Sequence, residues 1–237
     1  MKLSIKGFDP MSLIDWDGMV ATTVYLPGCN FRCPYCHNAG IVLTPDHYES
    51  IELSDILSYL TEHNDFLDGV CITGGEPCLH KGLPELIEKF RETGMRVKLD
   101  TNGSFPDMVA SLIDDELIDY VAMDVKAPLE FAAYSESARI ADRRTLERIK
   151  DTVDLLMSDR VDYEFRTTVV PALHRAGDLE RIAEQLRGAR RYVLQSYIPH
   201  DTLDPEFMDE TPYNAERIGE FRKLIAPMFE ECIVRGS

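Results

Sequence analysis

The sequence reads Gly28-Cys29-Asn30-Phe31-Arg32-Cys33-Pro34-Tyr35-Cys36-His37-Asn38 directly after an apolar, strand-like run at residues 21–26. In this cysteine loop, residues 28–38, three cysteines fall within eight residues in the spacing C-x3-C-x2-C. Three thiolates so close together on a loop are typical of a metal site. A structural zinc ion or a fully ligated iron–sulfur cluster has four protein ligands. Because this loop offers three, it predicts a metal centre with one coordination position left open.

The remaining cysteines, Cys71, Cys78 and Cys232, are scattered without regular pairing. This pattern favours metal chemistry in a reducing compartment over disulfide bonds. The alternative interpretation of the loop is a zinc site whose fourth ligand is Cys71, Cys78 or His37. Cys71 lies inside an apolar run, which is typical of a core residue. His37 directly follows Cys36, which makes it an awkward ligand for the same ion.

The composition is that of a globular protein, with 44% hydrophobic and 28% charged residues in a chain of 237. The net charge of −17 argues against nucleic acid as a partner, because phosphate binding needs clustered positive charge. No apolar run approaches the roughly 18–20 residues that cross a bilayer, and the N-terminus lacks the apolar stretch of a signal peptide. We therefore expect a cytoplasmic protein that binds no nucleic acid and no membrane.

The most basic stretch, residues 139–150, contains Arg143, Arg144 and Arg148. Its pattern indicates mainly the solvent-exposed face of a helix. A docking surface for an acidic partner protein is the alternative interpretation of these charges.

Short apolar runs alternate with amphipathic helical patterns along the chain. Six runs predict β-strands, at residues 21–26, 69–73, 96–99, 120–123, 163–170 and 191–195. Alternation of this kind indicates parallel strands joined by right-handed helical crossovers. Periodicity alone fits either a partial barrel or a doubly wound open sheet.

Residues with distinctive chemistry follow four successive predicted strands at their carboxyl ends. They are the cysteine loop, Gly74-Gly75-Glu76-Pro77, Asp100-Thr101-Asn102-Gly103 and Asp124-Val125-Lys126. In a barrel these ends converge on one mouth, where the active sites of parallel α/β folds lie. We therefore predict an α/β fold, a partial (β/α)6 TIM-like barrel of parallel strands with outer helices. The predicted single domain, 1–237, has an N-terminal lead at 1–20, a barrel core at 21–197 and a C-terminal extension at 198–237.

The cysteine spacing, with Tyr35 just before the third cysteine, is followed about forty residues later by Gly74-Gly75-Glu76-Pro77. Together these segments resemble the radical S-adenosylmethionine (SAM) enzymes. The resemblance implies a 4Fe–4S cluster ligated by Cys29, Cys33 and Cys36, whose open iron binds the amino and carboxylate groups of SAM. It also implies that the glycine backbone lies close to SAM, since glycine permits such an approach.

Three further segments narrow the resemblance: Cys36-His37-Asn38, Leu99-Asp100-Thr101-Asn102-Gly103 and Met123-Asp124-Val125-Lys126. They are similar to segments of the activating enzymes of glycyl radical enzymes, and the closest subgroup is the anaerobic ribonucleoside-triphosphate reductase activating proteins. The likeness implies that Lys126 pairs with the SAM carboxylate and that a monovalent cation binds near Asp100, Thr101 and Asp124. The residues implied to contact the cofactor are Tyr35, His37, Gly74, Gly75, Glu76, Pro77, Asp100, Thr101, Asp124, Lys126 and His200.

His200 lies in a segment that departs from the pattern. Where the pyruvate formate-lyase activase has Pro-Tyr-His after the sixth strand, this chain reads Tyr197-Ile198-Pro199-His200. His200 is therefore equally well a solvent-exposed loop residue. The alternative for Asp100 and Thr101 is a strand-end turn, and the alternative for Lys126 is a surface lysine.

The resemblance implies reductive cleavage of SAM to a 5′-deoxyadenosyl radical, which then forms a glycyl radical on a partner enzyme. The electron would come from a carrier such as flavodoxin or ferredoxin, and no catalytic residue beyond the cluster and SAM is implied. A protein substrate is favoured because residues 198–237 are too few for a separate substrate domain. The alternatives are a radical SAM enzyme of the 7-carboxy-7-deazaguanine synthase type, acting on a small molecule, and a non-catalytic zinc-binding module.

Overall fold

The computed structural model of the chain describes residues 3–236. A sheet of eight strands forms its centre, and neighbouring strands in the sheet are also neighbours in the sequence. The strands are β1 (Gly7–Ser12), β2 (Ala21–Leu26), β3 (Gly69–Gly74), β4 (Arg96–Thr101), β5 (Tyr120–Asp124), β6 (Asp162–Val169), β7 (Arg191–Ser196) and β8 (Glu231–Arg235). Strands β2 to β8 run parallel to one another, and β1 is antiparallel to β2.

Eight α-helices accompany the strands in the described part of the chain. They are α1 (Ala39–Leu43), α2 (Leu53–Glu62), α3 (Leu83–Glu92), α4 (Pro106–Asp114), α5 (Phe131–Ser137), α6 (Arg143–Leu156), α7 (Ala176–Gln185) and α8 (Ala215–Ile225). The longer helices bury one apolar face; α3, for example, buries Leu83, Leu86, Ile87 and Phe90 at helical spacing. Within residues 3–236, no helix has the length and apolar character needed to cross a membrane.

The sequential strand order decides between the two predicted sheet types. A doubly wound sheet reverses its strand order at a switch point, whereas successive right-handed crossovers in one direction curl a sheet toward a barrel. The predicted partial barrel is therefore confirmed, and its six predicted strands correspond to β2–β7. Between residues 3 and 236 no pairing joins β1 to β8, so the barrel is open along one seam.

Both edge strands escaped the sequence-based prediction. β1 falls within the predicted N-terminal lead and contains Pro10, which lacks the N–H that strand pairing uses. β8 lies in the predicted C-terminal extension and has only five residues. Its position follows from pairing with β7, in which Tyr192 lies opposite Cys232. Both flanking segments thus contribute strands to the same sheet as the predicted core.

Residues 13–20, which connect β1 to β2, lie across the floor of the barrel, the end where the parallel strands begin. Trp16 is buried there, with 4% of its surface exposed. The carboxylate of Asp17 accepts hydrogen bonds from Arg191 (2.7 Å) and Arg235 (2.8 Å), which belong to β7 and β8. The loop therefore ties the two strands beside the open seam to the start of the sheet.

Candidate active site

A cavity of about 260 Å³ lies at the mouth of the barrel, where the parallel strands end. Its wall is built from the carboxyl-terminal parts of β2 to β7, from the loops that follow β2 to β5, and from Asp15, which reaches it from the connection between β1 and β2. All four segments that the sequence places after strand ends therefore contribute to one cavity. Its lining includes Cys29, Cys33, Tyr35, Cys36, His37, Gly74, Gly75, Asp100, Thr101, Asp124 and Lys126, together with Asn102, Arg166, Thr168 and Gln195.

Three predicted cofactor contacts, Glu76, Pro77 and His200, do not line this cavity. Pro77 is buried at the start of a short 3-10 turn behind the cavity. The side chain of His200 is 78% exposed, and its Nδ1 lies 3.1 Å from the carboxylate of Asp201. The position of His200 matches the exposed-loop alternative.

The thiols of Cys29, Cys33 and Cys36 share the cavity wall. Burial raises the pKa of Cys29 to about 11 and the pKa of Cys33 to about 12, so metal binding must displace protons from both. Soft thiolates suit an iron–sulfur cluster. As placed in residues 3–236, the thiols do not form a group that could hold a metal ion. The fit to a cluster therefore rests on their donor chemistry and their shared cavity.

Tyr35 provides a second observation that fits a bound group. Its hydroxyl is buried and has no hydrogen-bond partner among the residues that the structure describes. A buried polar atom usually finds a partner, because leaving it without one costs free energy. Since Tyr35 lines the cavity, a ligand or an ordered water there could complete its hydrogen bonding.

Glycines let the cysteine loop and the turn after β3 pack against each other. A Cβ atom on Gly75 would clash with the carbonyl oxygen of Gly28, and one on Gly74 would clash with that of Leu26. Gly74 also has a φ of +112°, which side-chain-bearing residues rarely adopt. The N–H of Glu76 then donates to the carbonyl of Gly28 at 2.8 Å. These glycines thus allow two backbone segments to pack closely against each other. This role is additional to the close contact with SAM that the resemblance implies.

Glu76 is fully buried and links two segments of the site. Its Oε1 accepts hydrogen bonds from the N–H of Cys78 (3.0 Å) and the hydroxyl of Thr101 (2.8 Å). Its Oε2 accepts one from the N–H of Asn102 (2.7 Å). Burial raises the pKa of Glu76, and these donors partly offset the rise. The carboxylate therefore satisfies groups of the protein itself and connects the turn after β3 to the loop after β4.

Five charged side chains form a continuous group beside the cavity, which we call the mouth network. Lys98 Nζ lies 2.6 Å from Asp100. The guanidinium of Arg166 lies between two carboxylates, 3.1 Å from Asp100 and 2.9 Å from Asp124. Lys126 Nζ lies 2.8 Å from Asp124 on the other side. Three cations therefore share two carboxylates within this network, and a third carboxylate, that of Asp15, also lines the cavity, where it accepts a hydrogen bond from Thr23.

All five groups of the mouth network are held in their charged forms. Burial alone would raise the pKa of Asp100 and of Asp124, but Arg166 and the adjacent lysines outweigh it and lower both pKa values. Burial alone would lower the pKa of Lys126, but the carboxylate of Asp124 outweighs it and holds that pKa well above its ordinary value. Lys126 is thus charged at neutral pH, and its ammonium group at the cavity wall suits an anionic group of a ligand.

The extension after β7 supports the cysteine loop from outside. His37 Nε2 lies 2.7 Å from the carbonyl oxygen of Ile198. The N–H groups of Leu203 and Asp204 donate to carbonyl oxygens of the loop, at 3.1 Å and 2.8 Å. The cysteine loop is therefore held between the turn after β3 and residues 198–204.

Sequence reasoning missed three residues that shape the site: Lys98, Arg166 and Asn38. Lys98 and Arg166 interrupt β4 and β6 among buried neighbours, and a charge inside a buried strand is a signal of a paired interior group. Asn38 donates its amide N–H to the carbonyl of Gly74 at 2.6 Å and so joins the cysteine loop to the end of β3. No local pattern predicts this last contact, because its partners are 36 residues apart.

Comparison with known sequences defines the class of protein. The sequence profile of the Radical SAM superfamily matches residues 23–186, more than half of the chain. The chain therefore belongs to the radical SAM superfamily and is an enzyme of that type. Membership implies a 4Fe–4S cluster and SAM as its cofactors.

Two relatives refine this assignment. A protein of Methanocaldococcus jannaschii named "putative glycyl-radical enzyme activating enzyme" is 32% identical over 240 residues, covering 99% of this chain and 97% of the relative. The 7-carboxy-7-deazaguanine synthase of Methanopyrus kandleri is 36% identical over 177 residues, covering 65% of this chain and 68% of that protein. The predicted resemblance to the activating-enzyme group is confirmed by relatives that carry this name.

Solved structures share the fold. Streptococcus suis SuiB bound to precursor peptide SuiA has a TM-score of 0.69 at 12% identity, over 90% of this chain and 48% of that chain. TYW1 with a lysine-pyruvate adduct bound has a TM-score of 0.62 at 16% identity, over 89% of this chain and 75% of that chain. At these identities the similarity concerns the fold alone.

Proposed function

We propose that this chain is an activase that forms a glycyl radical on a partner enzyme, and that the partner is an anaerobic ribonucleoside-triphosphate reductase. The observation that carries the proposal is the cavity at the barrel mouth, where three cysteines, the turn after β3 and the mouth network meet. The end-to-end match with a relative named as an activating enzyme supports the same function. The choice of reductase as partner rests on the resemblance of the sequence segments.

The proposed cofactor contacts follow from the lining of the cavity. Cys29, Cys33 and Cys36 would hold the cluster, while the backbone of Gly74 and the ammonium group of Lys126 would hold SAM. When bound, these cofactors supply a carbon-centred radical that removes a hydrogen atom from the substrate. The protein contributes binding, orientation and a partly enclosed site.

Lys126 is suited to the carboxylate of SAM by its free hydrogen-bond donors. Its ammonium group has three N–H donors, and within residues 3–236 it uses one of them, to Asp124. Two donors therefore remain for an anion in the cavity. Arg166 holds Asp124 from the opposite side, so the carboxylate fixes the position of Lys126 without moving toward the ligand.

A monovalent cation near Asp100, Thr101 and Asp124 is the further cofactor that the resemblance implies. Arg166 already lies between the two carboxylates, so charge balance does not require a metal ion there. Measuring SAM turnover in buffers of potassium, sodium or a bulky organic cation tests this cofactor. Equal rates in all three would remove the cation from the proposal.

A protein substrate is supported by where the C-terminal extension lies. Residues 215–235 build α8 and β8 of the central sheet, and the seam beside β8 is open. The rival function is that of a 7-carboxy-7-deazaguanine synthase, which is favoured by 36% identity over 177 residues. That match leaves about a third of this chain uncovered, whereas the match to the activating-enzyme relative covers 99%.

An electron paramagnetic resonance experiment separates the two functions. The anaerobically reconstituted chain is incubated with SAM, dithionite and purified anaerobic ribonucleoside-triphosphate reductase. A glycine-centred doublet on the reductase supports activation. Turnover of SAM that is stimulated by the deazaguanine precursor, with no radical on the reductase, would overturn it. Zinc at one ion per chain, without iron or sulfide, would favour the zinc-binding module instead.

A further inference from the structure

Five arginines form a basic surface beside the cysteine loop: Arg32, Arg139, Arg143, Arg144 and Arg148, all exposed. The chain as a whole carries a net charge of −17. Residues 139–150 carry five basic and two acidic side chains. A local excess of positive charge on so acidic a protein calls for an explanation.

Contacts place the basic surface on the outer side of the cysteine loop. The backbone N–H of Arg32 donates to the carbonyl of Ala138 at 3.1 Å, so the connection between α5 and α6 rests on the loop. The guanidinium of Arg32 donates to the carbonyls of Cys29 (2.6 Å) and Phe31 (2.7 Å). Arg32 therefore belongs to the same loop as the thiols that line the cavity, and the connection that leads into α6 packs against this loop.

Among the residues that the structure describes, ion pairs within the fold account for Arg139 but not for the other four arginines. Arg143 and Arg144 occupy the first turn of α6, where the helix dipole disfavours cations. In the described range, 3–236, neither of them has a carboxylate within ion-pair distance, and the same holds for Arg32 and Arg148. Arg143 packs over the ring of Phe131 at 4.9 Å and keeps its charge. Cations that oppose a helix dipole and have no carboxylate partner are typical of a functional surface, and in the described part of the chain Arg143 and Arg144 meet both conditions.

Three of the four acidic groups nearby are already engaged. Asp204 pairs with Arg139 at 2.6 Å, and Asp142 accepts the N–H of Thr145 at 2.8 Å as the cap of α6. Glu147 pairs with Lys150, and Glu136 is exposed on α5. The four arginines without a carboxylate partner therefore dominate the charge of this surface.

We propose that the basic surface is the docking site of an acidic one-electron carrier protein, which reduces the cluster behind the cysteine loop. This inference rests on the proposed function, since it assumes the cluster. One electron leaves the reduced carrier and enters the cluster, and no covalent bond forms or breaks at the surface. Most of a chain with a net charge of −17 repels an acidic carrier. A local basic surface therefore determines where the carrier can bind.

Charge reversal with binding and turnover measured separately tests the docking site. The test variant is Arg143→Glu/Arg144→Glu. Arg143→Lys/Arg144→Lys keeps the charge, and Arg187→Glu/Lys223→Glu makes the same charge change at exposed positions near the barrel floor. The probes are an acidic flavodoxin and an acidic ferredoxin, with Kd measured at low and high ionic strength. Circular dichroism confirms that each variant is folded.

We expect the charge-reversed variant to bind the carrier about tenfold more weakly at low ionic strength, with the lysine and floor variants close to wild type. Wild-type binding should weaken as salt rises, because the interaction is attractive. SAM cleavage driven by the reduced carrier should fall in parallel, whereas cleavage driven by dithionite should be unchanged.

Three results would overturn the docking site. They are carrier binding that strengthens with salt, an equal loss in the floor variant, and unchanged carrier binding in the charge-reversed variant. A charge-reversed variant that fails only in radical transfer to the reductase would assign the surface to that partner instead. Absence of SAM cleavage with dithionite in the wild type would contradict the proposed function, independently of the carrier Kd.

Discussion

Two ion networks, one beside the cavity and one around the first residues of β6 and β7, differ in charge balance. The mouth network has three cations for two carboxylates and borders the cavity. The floor network consists of Asp17, Glu164, Arg191 and Arg235. Arg235 binds Glu164 through two hydrogen bonds, at 2.9 and 3.1 Å, and both arginines bind Asp17. Arg191 also contacts the exposed Glu231 at 3.0 Å, so no positive charge is in excess at the floor.

This difference indicates that the mouth network binds a ligand, whereas the floor network holds strands together. At the floor, each carboxylate is used by arginines from β7 and β8, and Glu164 is 99% buried, with a side-chain exposure of 1%. At the mouth, Lys126 keeps spare donors toward a cavity. Similar ion pairs therefore have different roles, and the spare donors of Lys126 beside a cavity distinguish the mouth network.

The largest effect should come from the mouth thiols. Cys33→Ala removes one of three proposed cluster ligands, so we expect loss of the cluster and of SAM cleavage. Iron and sulfide per chain after anaerobic reconstitution measure this. Cys232→Ala, a buried cysteine in β8, is the matched control and should load iron normally. Equal iron content in both variants would contradict the assignment of the loop.

The next largest effect should come from the floor. Arg235→Met removes the two hydrogen bonds from Arg235 to Glu164 and leaves that carboxylate the hydroxyl of Tyr120 (3.2 Å) and Arg191 (4.0 Å), so we expect the free energy of unfolding to fall by about 2 kcal/mol. The Kd for SAM should not change, because none of the four residues of the floor network lines the cavity. Urea denaturation and calorimetry measure the two quantities. The double variant Arg235→Met/Glu164→Met should recover part of the lost stability, since it also removes the buried carboxylate that the single variant leaves with weaker partners.

The opposite outcome is expected for Lys126→Met at the mouth. Asp124 keeps Arg166 as its partner, so stability should change by about 1 kcal/mol or less. The Kd for SAM should rise about tenfold, corresponding to ~1.4 kcal/mol. Calorimetric titration of the reconstituted chain measures this. A SAM Kd that is unchanged in this variant but raised in Arg235→Met would contradict the assignment of SAM binding to the mouth network.

A smaller, pH-dependent effect is expected behind the mouth, at His174. Its Nδ1 accepts the N–H of Val170 at 3.1 Å, and its Nε2 lies 2.9 Å from the carbonyl of Lys126. Burial lowers the pKa of His174 below its ordinary value. The unfolded chain therefore binds more protons than the folded one, and stability should fall as pH drops below about 6.5. Urea denaturation across pH 5.5–8 measures the free energy of unfolding. In His174→Gln this free energy should change less with pH than in the wild type, by roughly 1 kcal/mol or less over that range.

The smallest effect should come from His200, which lies outside both networks. His200→Ala should change stability by less than about 0.5 kcal/mol, because its side chain is exposed. Its SAM affinity should match that of the wild type. A tenfold loss of SAM affinity would instead support the contact between His200 and the cofactor that the resemblance implies.

Much of the mouth could be predicted from the sequence because its residues follow strand ends. The cysteine loop, Asp100 and Lys126 each come directly after an apolar run, and parallel strands bring such positions together. Glu76 was assigned to the right region, but its hydrogen bonds to Cys78, Thr101 and Asn102 depend on how two loops meet.

The floor could not be predicted in this way. Asp17 and Arg235 are 218 residues apart, and β1 and β8 show no strong alternation of apolar residues. Their positions follow from pairing across the finished sheet, which local periodicity does not encode. Arg166 was missed for the same reason, since its two carboxylate partners belong to β4 and β5.

Transfer of deuterium from the partner to the cofactor tests the central claim most directly. The reductase is prepared with glycine deuterated at Cα and incubated anaerobically with the reconstituted chain, SAM and dithionite. We predict deuterium in the 5′-deoxyadenosine and collapse of the glycyl doublet to a single line. Unlabelled 5′-deoxyadenosine, formed at the same rate with and without the reductase, would contradict the claim that the barrel mouth delivers its radical to a glycine of this partner.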